Sequence, residues 1–295
     1  MYIAQITDLH ISDQSNERVQ LVDCTARLAR VVEVLESLIP RPDVVLLTGD
    51  LTDEGTADQY LLLQGLLAPL TIPVLPIPGN HDLHDAFVES FAEVLPPDLA
   101  DGHCSYVIEP RAAAQPRLIG FDTSHPERID GVAPQDRLLW LDQQLSAAPE
   151  VPTLIFMHHP PIDSTIWWMD IVGLSPGDAV ELRAVIARHD QIRLVVAGHI
   201  HRPIHSMIGS ARVSICPSTV HQVGLSVVEE AVPSVSTEPA GFQLHVWTGE
   251  EFVTHTERVD DRAERVELDS FRVDVERYRS VRSETGALFK SDLGF

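Results

Sequence analysis

The chain has 295 residues, 44% of them hydrophobic and 22% charged, which suits a globular protein with a sizeable core and excludes a disordered or fibrous one. Its 21 Lys and Arg against 44 Asp and Glu give a formal net charge of -23, a field that repels a nucleic-acid backbone and disfavours a polymeric nucleic-acid partner. Cys24, Cys104 and Cys216 show no paired spacing, which argues against a disulfide framework and for a reducing, cytoplasmic setting.

The opening MYIAQITDLH lacks the basic and apolar regions of a leader and reads as a strand over 2–7. Leu28, Val31, Leu35 and Leu38 then share one face of a helix, followed by a strand over 44–48. The charge-free stretch 59–80 is about long enough to cross a bilayer, but Pro69, Pro73, Pro76 and Pro78 break it. It divides into a helix over 56–67 and a buried strand over 74–77, so no membrane span is expected. Strand runs at 118–121, 153–157 and 193–197 follow, with Leu138, Leu141 and Leu145 on a helix between the first two. After Gly198 the pattern becomes β-rich, with strands over 213–216 and 243–247, and from about Asp260 a charged tail begins. Alternating strands and helices predict a layered α/β protein.

Polar clusters end these strands: Asp8-Leu-His10, Gly49-Asp50, Gly79-Asn80-His81-Asp82, His158-His159 and Gly198-His199-Ile200-His201. Strand ends are where open α/β sheets place ligands. In extended backbone the pairs Asp8/His10 and His199/His201 each project to one side, so each pair can grip one cation. Glycine before Asp50, Asn80 and His199 fits sharp turns that bring the backbone close to a bound group. Taken singly, each cluster has an ordinary reading: a hydrogen-bonded core histidine, a helix cap at Asp50 or Thr52, a turn at Asn80. The ordered set does not.

The set D-x-H, GD, GNHD, HH and GHxH, over about residues 1–205, resembles the calcineurin-like metallophosphoesterase superfamily. With His158-His159-Pro160-Pro161 and the segment 218–223, it is most similar to that superfamily's bacterial class III cyclic nucleotide phosphodiesterases and glycerophosphodiesterases. The resemblance implies an αββα sandwich with a catalytic domain over 1–258, cap loops at about 162–177 and 217–240, and a charged extension over 259–295. It implies one metal ion at Asp8, His10 and His201, a second at Asn80, His159 and His199, and Asp50 bridging both. Imidazole and oxygen donors suit Mn, Fe, Co or Zn. The implied reaction is hydrolysis of a small soluble phosphodiester, a 3′,5′-cyclic nucleotide or a glycerophosphodiester, by a hydroxide held between the ions. His81 is the implied donor or general acid and, with Asp50, the catalytic pair. A phosphomonoesterase or nuclease on the same metals, or an inactive scaffold of the same fold, is the alternative. A homo-oligomer is implied as well.

Other residues carry two readings each. His158 is expected to face away from the ligand beside it, by strand alternation. Asp82 either orients His81 or caps a helix starting near Asp85. His221 lies near the substrate or is a surface histidine; Trp168, with Trp167 and Met169, walls the site, meets another subunit or is core. Arg202 touches substrate phosphate or is a solvated charge, and Cys216 is a small buried residue.

Overall fold

The computed structural model describes residues 1–12, 22–97, 99, 102–229, 231–260 and 280. In chain order these form β1 (Tyr2–Ile6), α1 (Cys24–Ser37), β2 (Val44–Thr48), α2 (Ala57–Leu67), β3 (Val74–Ile77), α3 (His84–Ser90), β4 (Tyr106–Ile108), β5 (Arg117–Gly120) and α4 (Gln135–Ser146). There follow β6 (Thr153–Phe156), α5 (Trp167–Ile171), α6 (Pro176–Ala187), β7 (Ile192–Ala197), β8 (Ile204–Ile208), β9 (Ala211–Ile215), β10 (Gln222–Val223), β11 (Val235–Ser236), β12 (Ala240–Trp247) and β13 (Phe252–Val259). Met1–Val259 form one compact unit; the charged extension over 259–295 lies almost wholly outside the described residues.

Two mixed sheets stack. The first runs β13-β12-β1-β2-β3, the second β4-β5-β6-β7-β9-β8. Side-chain alternation assigns β5, β6 and β7 of the second sheet to two cores. Leu118, Leu154, Phe156, Leu194 and Val196 join the core shared with the first sheet and the α1 and α2 residues. Their neighbours Ile119, Ile155, Met157, Val195 and Ala197 pack with Leu138, Leu141 and Leu145 of α4 and Leu182, Val185 and Ile186 of α6. Helix, sheet, sheet, helix is the αββα sandwich. No helix among the described residues is long and apolar enough to cross a membrane.

A polar seam runs between the sheets. Gln5 Nε2 on β1 donates to Thr48 Oγ1 at 2.9 Å and to Ala197 O on β7 at 3.0 Å. Gln243 Nε2 on β12 donates to Ile215 O on β9 at 3.1 Å, and Ser214 Oγ donates to Gln243 Oε1 at 2.8 Å. Buried amides pinned at both ends fix how the sheets register. His245 belongs to this seam, with Nε2 at 3.1 Å from Gln5 Oε1 and Nδ1 at 2.9 Å from Thr254 Oγ1. Burial, aided by repulsion from the His205 imidazole, lowers its pKa from 6.5 to about 3. The unfolded chain takes up this proton below pH 6.5 and the folded chain does not until about 3, so folding stability falls as pH drops through that window. The expected loss approaches ~1.4 kcal/mol per pH unit. Urea denaturation at pH 7 and pH 5 should show a smaller loss for His245→Gln than for the unaltered protein; equal losses would remove His245 from the account.

The structure adds elements that the sequence patterns do not give. β8 and β13 are sheet edges whose outward residues are polar or exposed, such as His205, Ser206, His255 and Arg258, so no apolar run marks them. Helix α6 buries Ala179, Leu182, Val185 and Ile186 at helical spacing, and α5 puts a short helix inside the loop expected over 162–177. That region meets the 217–240 region directly, through Trp167 Nε1 donating to Ala231 O at 3.2 Å.

Candidate metal centre

β1, β2, β3, β6 and β7 each run into one of the five polar clusters. Asp8 N donates to Gly49 O and His10 N to Asp50 O, both at 3.0 Å, and Gly198 N donates to His158 O at 3.0 Å, so the loops beyond the strands are zipped together. Asp8, His10, Asp50, His199 and His201 all adopt left-handed backbone, with φ of 52°, 42°, 49°, 69° and 51°. The extended backbone expected for the two x-spaced pairs is therefore absent; each strand ends first, and left-handed turns aim both side chains inward. Single non-glycine residues in this region cost roughly 1–2 kcal/mol each, and such strain gathers where a site over-determines it. Gly79 is required for closeness, since a Cβ there would overlap the Asp50 carboxylate.

The side chains converge in two groups that share Asp50. In the first, His201 Nε2 lies 3.3 Å from Asp8 Oδ1 and 3.2 Å from His10 Nε2. In the second, His158, His159 and His199 present nitrogens within 4.8 Å of one another, and His158 Nε2 lies 3.2 Å from Asn80 Oδ1. Asp50 Oδ2 stands 3.3 Å from His158 Nε2 and 3.7 Å from His10 Nε2, while Oδ1 accepts the His81 amide at 2.9 Å.

The other ring nitrogens are engaged. His10 Nδ1 is 3.3 Å from Asp53 Oδ1, His201 Nδ1 is 2.9 Å from His221 O and His158 Nδ1 is 2.8 Å from Thr48 O. Donation at Nδ1 leaves a lone pair at Nε2. The Nε2 atoms of His10 and His201 face each other at 3.2 Å beside the buried carboxylates of Asp8 and Asp50, a contact that either a shared proton or a cation satisfies. Nε2 of His159 and of His199 are buried with no hydrogen-bond partner among the described residues. These nitrogen and oxygen donors fit borderline divalent ions.

Electrostatics follow from burial and proximity. Burial pushes the Asp50 carboxyl up, but the His158, His81 and His10 imidazoles outweigh it and hold the group well below the usual range. Burial lowers His158 and the Asp50 carboxylate outweighs that, raising it to about 9. His199 falls to about 3 by burial and repulsion from His158. His81 is raised, because Asp50 and the Asp53 carbonyl and carboxylate outweigh burial.

His158 does not face away. β6 stops at Phe156, alternation stops with it, and the ring enters the centre next to His159, which instead meets Thr123 Oγ1 through Nδ1 at 2.9 Å. Asp82 neither caps α3, whose N-cap is Leu83, nor touches the His81 ring. It accepts from Gly79 N at 2.9 Å, Leu51 N at 3.1 Å, Thr52 N at 3.2 Å and Tyr60 OH at 2.7 Å, tying the Asp50 loop to the Asn80 loop. The His221 ring sits 4.7 Å from that of His201. Trp168 packs half-buried against Ile166, Met169, Ile200, Ile215 and Val223. Arg202 donates to Val223 O at 2.6 Å and pairs with Glu238, and Cys216 is buried. Ser218 Oγ donates to Asp8 O at 2.8 Å, which anchors the 218–223 segment at the centre. Arg27 on α1 bonds the carbonyls of Val220, Thr237 and Glu238, steadying that segment from outside.

Asp53 is the residue that sequence reasoning missed. It joins His10 and His81, its backbone carbonyl accepting His81 Nδ1 at 2.7 Å. Its position three residues after Asp50, in the same turn, was the available signal.

A four-layer αββα sandwich with a buried histidine and aspartate centre at its strand ends defines a metallophosphoesterase architecture. Residues 1–203 match the family described as calcineurin-like phosphoesterase, and the chain belongs to that family. It is similar to a probable glycerophosphodiester phosphodiesterase of Arcobacter nitrofigilis, 34% identical over 87% of this chain and 92% of the relative. It is also similar to a 3′,5′-cyclic-nucleotide phosphodiesterase of Nostoc, 32% identical over 87% of this chain and 92% of the relative. A dimetal phosphatase from Danio rerio shares the fold, with a TM-score of 0.67 at 15% identity over 88% of this chain and 96% of that one.

Proposed function

We propose that this phosphoesterase hydrolyses small soluble phosphodiesters, a glycerophosphodiester or a 3′,5′-cyclic nucleotide, at a centre of two metal ions. The observation that carries the reading is Asp50, set between two donor groups with one oxygen within 4 Å of a histidine from each. Asp8, His10 and His201 would hold one ion; Asn80, His159 and His199, joined by His158, would hold the other. When bound, the ions supply positive charge for the phosphoryl oxygens and lower the pKa of a coordinated water.

The protein's own groups then do the rest. Asp53 and the His221 carbonyl keep His10 and His201 oriented, as supporting acceptors do for ligating imidazoles. His81, with its side chain 39% exposed and Nδ1 held by Asp53 O, has Nε2 left to meet the substrate. Its raised pKa keeps a proton available for the departing alcohol. His221, whose ring lies 5.7 Å from that of His10, and Trp168 are assigned as substrate contacts in this reading. The net charge of -23 supports a small substrate over a long polyanion. Three free, buried cysteines support a cytoplasmic setting, and a homo-oligomer is part of the reading.

The test compares kcat/KM for cyclic AMP, glycerophosphoethanolamine and nitrophenyl phosphate on Mn-reconstituted and chelator-treated protein. Turnover of at least one diester, exceeding that of the monoester and abolished by chelation, is expected. Undiminished turnover after chelation, or a preference for the monoester, would overturn the reading.

A further inference from the structure

Arg27 of α1, in the outer helix layer, is half-buried, and its guanidinium spans the neck of the excursion that leaves the core at Val220 and returns at Thr237 and Glu238. Nη1 donates to Val220 O and, at 2.8 Å, to Glu238 O, so one nitrogen joins the outgoing and returning limbs. Nη2 donates to Thr237 O at 3.0 Å. Among the described residues no carboxylate pairs with Arg27, so its charge is spent on main-chain carbonyls. Bonds from an ionised donor are stronger than neutral ones, and the planar fork fixes the direction of each. Just beyond the neck the two limbs pair as β10 and β11.

The outgoing limb touches one half of the metal centre. Ser218 Oγ donates to Asp8 O at 2.8 Å and accepts from Val220 N at 2.9 Å, and Thr219 N donates to Thr7 O at 3.3 Å. His221 O, one peptide beyond the carbonyl that Arg27 holds, accepts from His201 Nδ1 at 2.9 Å. Val223 N donates back to His201 O at 3.4 Å. The other donor group is braced from elsewhere, His158 Nδ1 by Thr48 O and His159 Nδ1 by Thr123 Oγ1. An imidazole whose Nδ1 acceptor shifts loses the ring direction and tautomer that point Nε2 at an ion, and such supporting bonds are worth about ten- to a hundredfold in metal affinity.

We propose that Arg27 is a positioning residue for the ion held by Asp8, His10 and His201. It fixes the Val220–His221 peptide and, through the His221 carbonyl, the ring of His201, and it leaves the other ion's donors untouched. The proposal rests on the two-ion reading above and separates the two sites by what braces them.

The experiment titrates Co(II) into the chelator-treated full chain, for the unaltered protein, Arg27→Gln and Arg27→Lys, with binding followed by calorimetry and by the NMR signal of the His201 ring N–H. The binding step that shifts this signal is expected to weaken about tenfold or more in Arg27→Gln, and by less in Arg27→Lys, which keeps the charge but not the fork. The other step should stay within about twofold, since its supporting bonds are elsewhere. General loosening of the fold would weaken both steps alike, and that result, or two unchanged steps, overturns the proposal. If Arg27→Gln does not fold, Arg27→Lys alone decides, by a loss confined to the same step or its absence. Should the unaltered chain take up fewer than two ions, the two-ion reading fails and hydrogen exchange of the His201 Nδ1 proton in the metal-free chain decides. Exchange about tenfold faster in Arg27→Gln upholds the positioning role, and equal exchange overturns it.

Discussion

Asp50→Asn is expected to lose bound metal and about a thousandfold or more of its turnover. The substitution keeps size and removes the charge from a carboxylate that stands between both donor groups. Asparagine offers one carbonyl oxygen and an amide that cannot ligate, so a position designed for two partners keeps at most one. If the shared anion is worth about 4 kcal/mol of transition-state charge stabilisation, the loss is about three powers of ten. The local fold should survive, because Asp82, not Asp50, collects the amides of Gly79, Leu51 and Thr52 that join the two loops. Metal analysis after gel filtration, with turnover on the same sample, checks both parts. Full turnover with two ions per chain would remove Asp50 from the centre.

His81→Ala is expected to keep near-normal metal content while turnover drops about a hundredfold or more, the scale of a positioned proton donor. Its ring nitrogen Nδ1 is spent on Asp53 O, and only its backbone amide reaches Asp50, a bond that alanine retains. The pH profile separates donor from spectator. With His81 present, activity that needs its proton should decline as pH rises through its raised pKa. That alkaline limb should vanish in the variant, and a substrate with an acidic leaving group, such as a nitrophenyl diester, should recover most of the loss. Collapse of metal content instead would make His81 a ligand.

Much of the frame was legible in the chain. Runs such as Val44–Thr48 are buried on both faces, so their apolar composition announces a strand without any partner. The motifs at Asp8, Asp50, Asn80, His159, His199 and His201 were visible because each follows such a strand, and the order of strand ends in sequence carries the order of donors. Glycine at 79 was readable too, since a side chain there would strike Asp50.

The rest depends on contacts between residues far apart in sequence. Edge strands β8 and β13 carry polar outward faces, and only their ladders to β9 and β12 make them strands. His158 was misjudged because period-two alternation holds only while the strand lasts, and β6 ends two residues earlier. Asp82 and Asp53 exchange local roles for long-range ones, since buried amides and imidazoles on neighbouring loops need acceptors that no spacing rule supplies. By itself the sequence determined the layers and the donor types, because hydrophobic period and residue chemistry are local properties. Tertiary structure alone decided which imidazole nitrogens face the centre and which carboxylates stand between the two groups, because those follow from how the loops of two stacked sheets come to rest against one another.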